Sequence, residues 1–167
     1  MDSKYGFTLI ELLVVISIIS LLSSFVLVGL QKARNNAKAT RARQDIDLLV
    51  NAIQLASQNE GGVTLKQITG SGCSECPCRG QQLKNISKSS TCFQGMQSAI
   101  EKISKAAGPA YTDLEEKLAR DPWGAPYLID ENESTSGSGL GTIKSAGPDG
   151  IAPGHSTGEI GRRIPES

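Results

Sequence analysis

The 167-residue sequence predicts an α+β chain: one long N-terminal helix over about residues 7–59, then a small C-terminal head of short helices and a small antiparallel sheet. Three observations predict it. From Phe7 to Leu30 the chain is apolar with a single charge, Glu11. From Ala39 to Ala56 apolar residues recur at helical spacing. All seven prolines and 16 of the 18 glycines lie after residue 60, so the turn-forming residues are confined to the second part. The expected organisation is a leader over 1–6, a transmembrane helix over 7–30, an amphipathic continuation over 31–59, and a head over 60–167 that carries a Cys-rich insert at 73–92.

As a helix rising ~1.5 Å per residue, Phe7–Leu30 would cover about 36 Å, enough for a hydrocarbon core of roughly 30 Å. Glu11 is the awkward residue, because a carboxylate in such a segment costs about 2.5–3.5 kcal/mol on insertion scales. Such a charge asks for a partner, and the nearest candidate is an amine made by cutting the chain after Gly6. A conventional secretory signal fits poorly: the run is too long and no small-x-small site follows it. A plain single-pass anchor explains the run but gives Glu11 no role. Ser17, Ser20, Ser23 and Ser24 can return their hydroxyls to the helix backbone and are small enough for close helix approach.

Ala39, Ala42, Ile46, Leu49, Ile53 and Ala56 follow at spacings of three and four, a one-sided stripe that no Pro or Gly interrupts before Glu60-Gly61-Gly62 ends it. Lys32, Arg34, Lys38, Arg41 and Arg43 form a basic run with no acid before Asp45. It suits lipid headgroups, acidic patches of a neighbouring subunit, or water; five charges establish no nucleic-acid partner.

The head, from Glu60 onward, holds 11 basic and 13 acidic residues, so its charge names no partner. Its cysteines are Cys73, Cys76, Cys78 and Cys92. On an exported domain four cysteines imply two disulfides in one of three connectivities, with Cys92 closing a loop to the cluster. A zinc or iron–sulfur site is the other reading, although the usual second CxxC half is missing. Redox catalysis lacks a surrounding βαβ pattern. Phe93–Ala107 reads as a helix with Met96, Ile100, Ile103 and Ala107 on one face, stopped by Gly108-Pro109. Thr112-x-x-Glu115 reads as a capping box opening a short helix to about Arg120. Asp121-Pro122-Trp123-Gly124 is a turn presenting Trp123 to the core. Tyr127–Ile129 and Leu140–Ser145 are the expected strands, separated by a polar loop, and Ser145–Gly150 is a tight turn. One histidine, His155, and no nucleophile–base constellation mean that no catalytic site, and so no enzyme, is expected.

Gly6-Phe7-Thr8-Leu9-Ile10-Glu11-Leu12-Leu13 resembles the class III signal of type IV pilins and type II secretion pseudopilins. Asp121-Pro122-Trp123-Gly124 with Tyr127, followed by Ser145-Ala146-Gly147-Pro148-Asp149-Gly150, resembles the C-terminal half of the major pseudopilin of type II secretion. The resemblance covers about 1–60 and 121–160 and leaves the middle uncovered. It implies a type IV pilin-like fold, cleavage by a prepilin peptidase after Gly6, N-methylation of Phe7, and a role in assembly for Glu11. Many family members have a glycine at the position of Ser20 and a proline at that of Val28; without them an unbroken helix is expected here. The resemblance also implies a C-terminal calcium loop with Asp149 and Glu159 as the candidate ligands. One acid of the usual second pair is missing, two carboxylates are few for calcium, and an Asx-type turn without metal is the other reading. No other cofactor is expected.

The expected function is that of a structural subunit of a type IV pilus-like filament, polymerised through its N-terminal helix. The alternative is the major pseudopilin of a type II secretion system, and a distant one is a membrane-anchored Cys-rich metal or redox protein. The implied partners are further copies of the chain, a prepilin peptidase/methyltransferase, an inner-membrane assembly platform, and membrane lipid before assembly. Basic residues concentrated after the apolar run would by themselves place the head in the cytoplasm. The resemblance implies the opposite: a single-pass inner-membrane precursor with its head outside the cytoplasm, then a surface pilus or periplasmic pseudopilus.

Overall fold

The computed structural model describes residues 8–131, 141–152 and 160–164, without the side chains of 24–28. Gly6, Phe7, His155 and Glu159 lie outside the described residues. Helix α1 runs unbroken from Leu9 to Asn59, 51 residues. The hydroxyls of Ser17, Ser20 and Ser23 each donate to the carbonyl four residues back at 2.7 Å, which keeps these polar groups satisfied on an apolar helix. The helix ends at two glycines of positive φ, Gly61 and Gly62, and the Gly62 amide closes back onto Ser57 O at 2.7 Å.

The chain divides into two compact units, Met1–Ala37 and Lys38–Ser167. In the first, the large apolar side chains described from Leu9 to Leu22 are exposed. Among the described residues no helix is long and apolar enough to cross a membrane. The undescribed side chains of 24–28 fall inside the apolar run that the sequence reads as one span.

The second unit contains the core. Ala42, Ile46, Leu49, Ile53 and Ala56 are buried as the stripe predicts, while Ala39 is half-buried at its edge. Helix α2, Leu65–Thr69, is opened by a capping box in which Thr64 and Gln67 exchange backbone and side-chain bonds. Helix α3, Thr91–Ala107, is capped by Ser90 and buries Met96, Ile100, Ile103 and Ala107. The Met96, Ile100 and Ile103 side chains each contribute roughly 1.5–3 kcal/mol on leaving water. Helix α4 is shorter than expected, Leu114–Lys117. Its Thr112–Glu115 box does not form: Asp113 takes a left-handed φ of 66°, and the Thr112 hydroxyl turns back toward Pro109 O.

Strands β1 (Leu128–Asp130), β2 (Thr142–Ser145) and β3 (Ile160–Arg163) form an antiparallel sheet in that order. Ile129 lies opposite Ile143, and Ile143 opposite Arg162. The first strand starts one residue later than expected. It includes Asp130, which the sequence assigns to a polar loop but which is buried. β3 was not expected, because Ile160-Gly161-Arg162-Arg163 has neither apolar alternation nor β-branched enrichment. Arg162 anchors it by an ion pair with Asp47 of α1.

Candidate functional site

Two regions gather the residues singled out by the sequence. The first is the start of α1. Thr8 precedes the helix, and Glu11 stands three positions on. The Thr8 amide and hydroxyl donate to Glu11 Oε2 at 2.9 and 2.8 Å, and the Glu11 amide donates to Thr8 Oγ1 at 3.3 Å. This is a reciprocal capping box, with the carboxylate placed at the positive end of the helix. Glu11 is therefore not a bare charge in the single chain, as the sequence reading has it. Thr8-x-x-Glu11 is itself the signature that could have shown this. Both side chains remain exposed.

The second region is the C-terminal motif pair and the insert that holds it. The Asp121 carboxylate is buried. Its Oδ1 accepts from the Trp123 and Ala125 amides at 3.0 and 2.9 Å, and its Oδ2 accepts from Ser145 Oγ at 2.6 Å. Burial is the larger influence and raises the Asp121 pKa above its ordinary value, against the lowering effect of these bonds. Ser145 Oγ in turn accepts from the Gly147 amide at 3.1 Å. One carboxylate thus ties the DPWG turn to the loop beginning at Ser145. Trp123 is buried, as expected of a core residue.

The insert is stapled twice, Cys73–Cys76 and Cys78–Cys92, with Cα separations of 5.4 and 4.8 Å. Cys92 does close a loop to the cluster, and its partner is Cys78. Within that loop Gln82 pairs with Ile151 in an antiparallel bridge. Leu83 N donates to Gly150 O at 2.7 Å, and Ala152 N to Gln81 O at 3.3 Å. Asn85 N reaches Gly124 O at 3.0 Å. Arg120 donates to Gly124 O and Ile86 O at 2.6 and 2.5 Å and lies over the Phe93 ring at 4.7 Å. The stretch from Gln81 to Ile86 therefore touches both C-terminal motifs, a long-range arrangement with no local signal.

Asp149 Oδ1 accepts from Ile151 N at 3.2 Å, the Asx-type turn. Among the described residues no three His, Cys, Asp or Glu side chains converge on a possible metal. The described part of the loop offers one carboxylate where calcium takes several, so these residues do not by themselves fit the ion, and Glu159 lies outside them.

Residues 1–27 match the family model described as the prokaryotic N-terminal methylation motif. The chain is 30% identical over 153 residues to the type II secretion system core protein G of Escherichia coli K12, covering 89% of this chain and 85% of that one. It is 30% identical over 127 residues to the protein of the same name from Aeromonas hydrophila, covering 74% and 71%. It is 29% identical over 153 residues to that of Klebsiella michiganensis, covering 90% and 87%. No solved structure gives a significant match. With 30% identity to core protein G over most of its length, a methylation motif at its start and a long helix followed by an α+β head, the chain belongs to the family of the type II secretion system core protein G pseudopilins.

Proposed function

We propose that the chain is the major pseudopilin of a type II secretion system. It is made as a membrane-inserted precursor, cleaved after Gly6, N-methylated at Phe7, and polymerised through α1. The observation that carries this reading is the 30% identity over 153 residues to core protein G, which extends through the head as well as the helix. It favours the secretion pseudopilin over the pilus subunit that the sequence put first.

The geometry gives the reading a mechanism. Leu9, Ile10, Leu12, Leu13, Ile16 and Ile19 are more than half exposed. Lipid covers them before assembly, and sister helices cover them in the filament, where small serines with satisfied hydroxyls allow close approach. The precursor sits in the inner membrane with its head outside the cytoplasm, and the assembled form is a periplasmic pseudopilus. Glu11 is held by Thr8 in the single chain. In the filament it turns to the terminal amine of a neighbour's Phe7, an ion pair stronger than the cap in so dry a setting. The partners are the prepilin peptidase/methyltransferase, the inner-membrane assembly platform and further copies of the chain.

The test is deletion of the gene in its own host. The proposal expects secreted proteins to accumulate in the periplasm while surface pili persist. Loss of pili with secretion intact would overturn it and return the pilus-subunit reading.

A further inference from the structure

We propose that Cys73–Cys76 is a surface thiol–disulfide exchange site, opened by a dithiol and closed again by a disulfide, while Cys78–Cys92 is the permanent staple of the head. The two bonds differ first in access. Cys78 and Cys92 are fully buried, whereas Cys76 is exposed and Cys73 half-buried. Exchange requires a thiolate to reach a sulfur, so it begins at Cys76, the more exposed residue of the pair.

They differ next in what each bond holds. Cys78–Cys92 closes a sequence separation of 14 and joins the Cys76–Cys78 turn to the first turn of α3. The segment it encloses carries the Gln81–Asn85 contacts to both C-terminal motifs. Cys73–Cys76 closes a separation of only three, which constrains the unfolded chain far less. Its enclosed residues are docked by other means. Ser74 N donates to Glu131 Oε2 at 2.7 Å, and the Ser74 hydroxyl donates to Glu131 Oε1. Glu75 N donates to Ile129 O at 3.0 Å, and Arg79 lies 3.6 Å from both Glu75 and Asp130. With the bond open, these contacts keep the two thiols opposite each other. The reduced form is a preorganised dithiol, and reoxidation needs no refolding.

The step balances. A thiolate of the incoming dithiol attacks Cys76 Sγ, the Cys73–Cys76 bond breaks, and Cys73 leaves as a thiolate that takes up a proton. The second thiol of the reagent, losing its proton, attacks the mixed disulfide and releases Cys76. Two electrons pass to the protein, and the reagent becomes a disulfide.

The full chain in detergent micelles, exposed to graded dithiothreitol, alkylated and mapped by peptide mass spectrometry, tests this. Cys73 and Cys76 should be alkylated at roughly tenfold lower dithiothreitol than Cys78 and Cys92, reflecting access to the sulfur. Far-ultraviolet circular dichroism should not change at that first step, and oxidised glutathione should restore the bond. Simultaneous opening, opening of Cys78–Cys92 first, or loss of fold at the first step would overturn the proposal. In the double variant Cys73→Ser/Cys76→Ser, Cys78–Cys92 should resist dithiothreitol as in the wild type; failure of that variant to fold would also overturn it.

Discussion

Ser145 Oγ donates to Asp121 Oδ2 at 2.6 Å, and both residues are buried, so the two C-terminal motifs meet in one hydrogen bond. Asp121 accepts two backbone amides from its own turn through its other oxygen. Its function is therefore organisational: it shapes the DPWG turn and fixes where the loop after β2 departs. Removing one donor from a buried carboxylate costs about 1–3 kcal/mol. Ser145→Ala should lower the melting temperature of the head by roughly 2–12 °C, read by circular dichroism of the full chain in detergent.

The same carboxylate sets a pH dependence. Its folded-state pKa is raised by burial, so between the ordinary aspartate value and the raised one the folded chain binds more protons than the unfolded chain. In that window stability falls as pH rises, then levels off, opposite in sign to an ion-paired carboxylate. Asp121→Asn removes this contribution. The difference in urea midpoint, wild type minus Asp121→Asn, should decline from about pH 4 upward and then flatten. A difference that rises with pH would contradict the burial argument.

What the sequence showed and hid follows from range. The stripe from Ala42 to Ala56 and the face Met96–Ala107 are periodic and local, and both are buried as expected. The strands around Ile129 and Ile143 lie between turn residues and were visible for the same reason. Strand β3 is held by pairing with β2 and by Arg162–Asp47, none of which is written in its own four residues. The expected box at Thr112 does not form because Asp113 adopts a left-handed backbone, while Thr64–Gln67 and Thr8–Glu11 form boxes of the same x-x spacing. The pairing Cys78–Cys92 could not be chosen from spacing, because it depends on where α3 begins relative to the Cys76–Cys78 turn.

Tyr127 ties the sheet to α1. Its hydroxyl donates to Asp45 Oδ2 at 2.6 Å, and burial with the nearby carboxylate raises its pKa. Asp45 also lies 3.8 Å from Arg41. Tyr127→Phe should cost about 1.5–3 kcal/mol, the range for a bond to a charged acceptor. Asp45→Asn keeps an acceptor and should cost less. The double variant should be less damaging than the sum of the two, as a thermodynamic cycle on denaturant midpoints would read.

Gly150 sits at φ 68°, and a Cβ there would meet Lys84 Cβ at 2.9 Å and Lys84 N at 3.2 Å. Gly62 sits at φ 87° with nothing within 4 Å. Alanine at either position carries backbone strain of about 1–3 kcal/mol. Only Gly150→Ala should also push the insert away from the C-terminal loop. It should therefore be the more destabilising of the two, and the Leu83 and Ala152 amides, which bridge the segments, should lose protection from hydrogen exchange. Equal effects at the two glycines would show that the close approach does not matter.

Glu11 has two partners in this reading, Thr8 in the single chain and a neighbour's terminal amine in the filament, and substitutions separate them. Glu11→Gln keeps an acceptor at the third helical position and so preserves the capping box, but it cannot neutralise an amine. Thr8→Ala removes the cap, at about 0.5–2 kcal/mol of local helix stability, and leaves the charge. If the charge drives assembly, Glu11→Gln and Glu11→Ala should both be processed normally after Gly6 yet yield few filaments, while Thr8→Ala should retain a larger share of the wild-type yield. Processing is read by the mass of the mature N-terminus, and assembly by sheared filament recovered from cells. Wild-type filament yield from Glu11→Ala would remove the carboxylate from the mechanism. Normal yield from Glu11→Gln alone would mean that the helix cap, rather than the ion pair, is what Glu11 contributes.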